Sequence, residues 1–143
     1  MHALDGVTRG DQNRALGLST LAFTVCFAVW TIFSIIGVKI KQELGLSETQ
    51  FGLLVATPVL TGSLSRIFLG VWTDQFGGRI MLPLQMLITA VSVWLLASVQ
   101  TYAVFLMIAL GLGLAGGSFI IGVAYVSRWY EAERQGTALG IFG

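Results

Sequence analysis

Tyr102–Ser127, YAVFLMIALGLGLAGGSFIIGVAYVS, decides the fold. It holds no charged residue and no proline, and it exceeds the roughly 20 residues that a helix needs to cross a hydrocarbon core of about 30 Å. Lipid offers no partner to backbone N–H and C=O groups, so a spanning segment is a helix or part of a closed barrel. The run is too long and too uniformly apolar for an alternating barrel strand. It predicts a transmembrane helix.

Working outward, three further runs have the same character. Leu16–Val38 and Ile80–Ser98 carry no charge, and Gln50–Trp72 carries one, Arg66. The connections 39–49, 73–79 and 99–101 are short, so consecutive helices are antiparallel. After the fourth run, Arg128–Gln135 is polar, and Gly136–Gly143 turns apolar again like the opening turns of a fifth span. The expected fold is an all-α membrane protein, with spans at 16–38, 50–72, 80–98 and 102–127 and a truncated one at 136–143. Residues 1–15 are expected as a short mobile cytoplasmic tail. The chain reads as a fragment of a longer protein.

Composition supports this reading. Of 143 residues, 55% are hydrophobic and only 10% charged, against about 25% charged in soluble domains. The 18 glycines suit close contact between membrane helices. A net charge of +1 leaves no basic footprint for nucleic acid. The single cysteine, Cys26, reads as a small apolar filler, and the single histidine, His2, lies in the tail. No metal-ligand cluster, no nucleophile beside a base and no phosphate-cradling loop is evident, so no metal, cofactor or enzyme activity is expected. The polar, mixed-charge start is unlike a cleavable signal peptide. Arg9, Arg14, Arg79, Arg128 and Arg134 fall on one side of the membrane, and Lys39 and Lys41 on the other. That bias expects a cytoplasmic N-terminus.

Arg66 carries the chemistry. A guanidinium within a spanning helix costs about 2.5–3.5 kcal/mol on insertion scales. Trp72, six residues on, marks the nearer helix end, roughly 9 Å away at 1.5 Å per residue. One reading is an arginine that snorkels to the headgroups or pairs with a carboxylate elsewhere. The other is an anion site, because no span contains Asp or Glu. A planar anion fits the two-pronged fork of a group that never loses its proton. Gly62 and Gly70 lie one turn either side, with Ser63 and Ser65 close by, leaving room for a cavity or a neighbouring helix.

The connection Gly70-Val-Trp-Thr-Asp74-Gln-Phe-Gly77-Gly78-Arg79 resembles the loop between helices 2 and 3 of the major facilitator superfamily. Gln75 and Ile80 stand where that pattern usually has basic residues. In this reading Gly70 permits close helix contact, Asp74 accepts hydrogen bonds, Gly77 and Gly78 allow the turn, and Arg79 supplies the basic position. The fourth span and its exit, from Gly111 to Gly143, add Gly113 with Gly117 and Gly136 with Gly140 as small-xxx-small packing pairs. Trp129 and Tyr130 fit an interfacial belt. With Arg66, these stretches resemble the nitrate/nitrite porter branch of that superfamily over nearly the whole chain.

The resemblance implies the N-terminal part of a twelve-helix transporter that binds nitrate or nitrite between two halves and works by alternating access. Arg66 matches the helix-2 arginine that binds the anion, and Phe119 matches a phenylalanine that packs against it. A second arginine is then expected in the other half, and Asp74 and Arg79 would help close the cytoplasmic side. Exchange and proton-coupled uptake are both open. Another anion, or a self-standing four-span subunit with Arg66 paired to a partner chain, are the alternatives. The helix-1 aromatics Phe27, Trp30 and Phe33 read as packing or lipid-facing and receive no site role.

Overall fold

The first helix starts where a cap allows, not where polarity ends. The Thr8 hydroxyl accepts from the Asp11 amide at 3.2 Å, and the Asp11 carboxylate accepts from the Thr8 amide at 3.1 Å. This reciprocal box ties up amides that a helix start leaves unpaired. α1 therefore runs Arg9–Leu44 and ends at Gly45 with φ of 61°, the left-handed cap that glycine adopts without strain. The tail expected over 1–15 is thus helical from Arg9. The computed structural model describes residues 6–143; His2 and the rest of 1–5 lie outside the described residues. At 1.5 Å per residue α1 is roughly 54 Å long, so both polar ends project beyond the hydrocarbon.

A second capping box, Ser47 with Gln50, starts α2 at Glu48–Phe76. α3, Gly78–Leu96, follows after Gly77 alone, whose φ is 84°. The fourth span is not one uniform helix. α4 covers Tyr102–Gly113, a 3-10 turn covers Leu114–Gly117, and α5 covers Ser118–Ser127. α6, Ala132–Phe142, lies where the opening turns of a fifth span are expected. Arg9–Leu44, Glu48–Phe76, Gly78–Leu96 and Tyr102–Ser127 are each long and apolar enough to cross a membrane.

The fourth span is the centre of the bundle: half of its most apolar window is buried, against 22–28% for the other three. α2 lies along it in parallel. Pro58 and Thr61 sit beside Gly113, Gly62 beside Gly113 and Gly116, Ser65 and Leu69 beside Gly117, and Gly70 beside Ile120. α3 runs antiparallel to it, with Ser92 against Gly111 and Gly78 against Tyr125. Phe33, Leu54, Phe105 and Leu112 fill the core toward one end; Val126, Ala138 and Phe142 fill it toward the other. Leu21, Ile35, Leu60, Ile67, Leu87, Trp94 and Met107 point outward and are exposed. Gln85, 2% exposed, donates through Nε2 to the Leu114 carbonyl at 3.1 Å and to the Thr89 hydroxyl at 3.2 Å. It thereby pins α3 to the start of the 3-10 turn.

Candidate functional site

The surroundings of Arg66 follow from which faces of α2 are taken. The α2–α3 groove is lined by Leu69, Trp72 and Phe76 against Ile80, Met81 and Leu84. Phe51 and Val55 meet α1 at Gly37, within 3.5–3.6 Å of where its β-carbon would stand. At about 100° per residue, Arg66 points within about 20° of Val55, while Trp72 is turned about 120° away. Arg66 therefore stands on the α1 side of α2, flanking the contact with the fourth span. Its side chain is exposed, and among the described residues it has no ion-pair or hydrogen-bond partner.

Phe119 shares its depth. Gly62 touches Gly116 and Gly70 touches Ile120, so Arg66, midway between the two glycines, is level with the residues between Gly116 and Ile120. Phe119 is 36% exposed and stacks on Phe23 of α1 at 5.5 Å between ring centroids and on Phe142 at 6.0 Å. Both residues thus border the cleft between α1, α2 and the fourth span. A guanidinium without a partner among the described residues is chemically suited to hold a flat anion.

The glycines divide by function. Gly77 has the positive φ the loop needs, whereas Gly78 is already helical, and a β-carbon there would lie 2.5 Å from Tyr125 Cβ. The loop reading of Gly78 is therefore replaced by close packing on α5. Gly70 is uncrowded, its β-carbon meeting Ile120 Cγ2 at an ordinary 3.4 Å. Gly113 and Gly117 both lie against α2, while Gly136 and Gly140 have nothing within 4 Å of a β-carbon among the described residues. α6 instead meets the fourth span through Phe142 on Gly122.

At the loop end, Asp74 pairs with Arg128, Oδ1 to guanidinium at 3.3 Å, and the same nitrogen lies 3.4 Å from the Asp74 carbonyl oxygen. Arg79 has no ion pair among the described residues, because α3 begins at Gly78 and carries it onto an exposed helix surface. Gln135 donates to the carbonyls of Ser127 and Tyr130 at 2.8 and 3.0 Å, and Gln12 donates to that of Trp129 at 2.8 Å. These side chains satisfy acceptors that the end of α5 leaves free. From the sequence, Arg128 enters only as part of the charge bias, and Gln12 and Gln135 have no role. Arg128 and Gln135 bracket the polar stretch after the fourth span, a usable signal; nothing marks Gln12. Both partners of the Asp74–Arg128 pair are mostly exposed, so a double-mutant cycle with Asp74→Asn and Arg128→Gln should return a coupling of about 0.2–1 kcal/mol. Thermal melting in detergent measures it, and zero coupling would remove the pair from the packing of this end.

Residues 18–143 match the model of the Major Facilitator Superfamily. The chain belongs to that superfamily. Over 135 residues it is 42% identical to the probable nitrate/nitrite antiporter NarK1 of Thermus thermophilus, covering 94% of this chain and 30% of that protein. It is 36% identical over 135 residues to the probable nitrate/nitrite transporter NarK2 of Mycobacterium tuberculosis, covering 92% and 34%. It is 34% identical over 134 residues to the nitrite extrusion protein of Bacillus subtilis, covering 92% and 33%. The chain therefore spans about a third of the length of these superfamily relatives. As a superfamily member with four helices of spanning length, it is a multi-pass membrane protein.

Proposed function

We propose that this segment forms the N-terminal part of a nitrate/nitrite transporter and that Arg66 grips the anion. The observation that carries this reading is an arginine at spanning depth with no partner among the described residues, in a bundle whose four apolar runs contain no Asp or Glu. Its fork presents parallel N–H groups to two oxygens of a planar anion. The Phe119 ring packs against the flat face, excluding water, and the relatives' names supply the substrate class.

In alternating access the segment rocks against a second half around a midplane site, and the Asp74–Arg128 pair belongs to the end that opens and closes. The arginine bias supports a cytoplasmic side for that end and for the N-terminus, and the bacterial relatives support a bacterial cell membrane. These four apolar runs bring no acid to carry a proton, so within this segment the charge of Arg66 is balanced by whichever anion is bound, as exchange of nitrate for nitrite requires.

The full-length transporter carrying this segment, reconstituted in vesicles loaded with nitrite, should take up labelled nitrate saturably. Excess chloride or sulfate should compete weakly. Uptake that needs no internal anion and follows an imposed proton gradient would overturn the exchange mechanism. Equal competition by sulfate would overturn the substrate assignment.

A further inference from the structure

We infer that Trp30 is a second hydrogen-bond donor to the anion held by Arg66 and forms a third wall of its site. The inference rests on the proposed anion site and adds to it a residue of α1. Trp30 is half-buried on α1. Its indole Nε1 lies 3.8 Å, and its Cε2 4.0 Å, from where a β-carbon on Gly116 would stand. Gly116 itself rests on Gly62, with that β-carbon 3.7 Å from the Gly62 Cα. Indole, Gly116 and Gly62 therefore form one layer, and Arg66 is one turn further along α2. Gly62 packs on the backbone of the fourth span, and Gly116, lacking a side chain, leaves the indole edge uncovered on that side.

The donor inventory of this cleft is short. The hydroxyls of Thr31, Thr61 and Ser63 each donate to a carbonyl of their own helix, at 2.8–3.0 Å. They are committed. The indole N–H has no acceptor among the described hydrogen bonds, and it can only donate. An indole N–H at spanning depth, where lipid offers no acceptor, is satisfied only by an acceptor that the protein or its ligand brings. The acceptor that Arg66 also calls for, an oxygen of a planar oxyanion, satisfies it. The wall is continuous as well: Trp30, Phe27, Phe23 and Phe119 follow one another at centroid spacings of 5.8, 5.8 and 5.5 Å. One aromatic surface thus runs from the indole donor to the ring beside Arg66.

The test is nitrate uptake by the full-length transporter carrying Trp30→Phe, which keeps a ring and deletes the donor. Losing one hydrogen bond to a charged oxygen should raise the KM for nitrate about tenfold, with the maximal rate within about twofold of wild type. Gly116→Ala is the companion variant; its β-carbon makes only ordinary contacts, so it should fold, and it should raise KM by narrowing the same space. If Trp30→Phe is not recovered folded, Gly116→Ala decides. An unchanged KM in the folded variant, or a lowered maximal rate with KM unchanged, overturns the role of Trp30. A wild-type protein that takes up no nitrate would instead overturn the proposed function.

Discussion

Arg66→Ala should lower the apparent affinity for nitrate at least about a hundredfold and take uptake to background. Two charge-assisted hydrogen bonds of about 1.5–3 kcal/mol each are lost, and about 1.4 kcal/mol corresponds to a factor of ten. Arg66→Lys should fall between the two, since it keeps the charge but replaces a planar fork with a point donor. The fold should survive both changes. Arg66 has no partner among the described residues, and removing a charge from a spanning helix relieves an insertion cost of about 2.5–3.5 kcal/mol. Melting in detergent should therefore stay level or rise in the alanine variant while uptake disappears. Wild-type uptake by Arg66→Ala would end the anion-site reading. Lost uptake together with a lowered melting temperature would assign Arg66 to folding instead.

The second large effect concerns Gly113. A β-carbon there would stand 2.7 Å from the Pro58 carbonyl oxygen, 2.7 Å from Thr61 Cβ and 3.1 Å from Pro58 Cα. Two of those atoms are backbone, so no rotamer change makes room. Gly113→Ala should destabilise by about 1–3 kcal/mol, and Gly113→Val should prevent recovery of folded protein. Gly70→Ala is the control, since its β-carbon meets only a side-chain methyl at ordinary distance; its effect should stay within about 0.5 kcal/mol. Fluorescence-detected gel filtration after heating measures all three. A Gly113→Ala protein that melts with wild type would show that α2 and the fourth span do not approach as closely as described.

The contrast between these glycines shows what a linear sequence reveals. Spans are legible because crossing a membrane demands a minimum apolar length, and that length is written locally. Arg66 is legible for the same reason: a single charge stands out in Gln50–Trp72. Helix ends are less legible, because the Thr8–Asp11 cap starts α1 among polar residues that hydropathy assigns to a tail. Partners across the bundle are not legible at all. Asp74 has Arg79 nearby in sequence, yet it pairs with Arg128 because α5 returns beside the end of α2. The shared depth of Arg66 and Phe119 likewise arises from α2 lying parallel to a helix two spans later. Glycine spacing says that contact occurs, not which helix makes it: Gly113 and Gly136 look alike in sequence, but only Gly113 is crowded.

The 3-10 turn at Leu114–Gly117 sets the phase of everything after it. Such a turn advances about 120° per residue in place of about 100°, so four residues add roughly 80° of rotation. It also lengthens the span by about 2 Å, at 2.0 Å rise per residue against 1.5 Å. An uninterrupted α-helix of the same sequence would swing Phe119 toward another quadrant, away from Phe23. The turn is thus an angular offset built into the polypeptide, and the Gln85 bond to the Leu114 carbonyl holds the register from which that offset is counted.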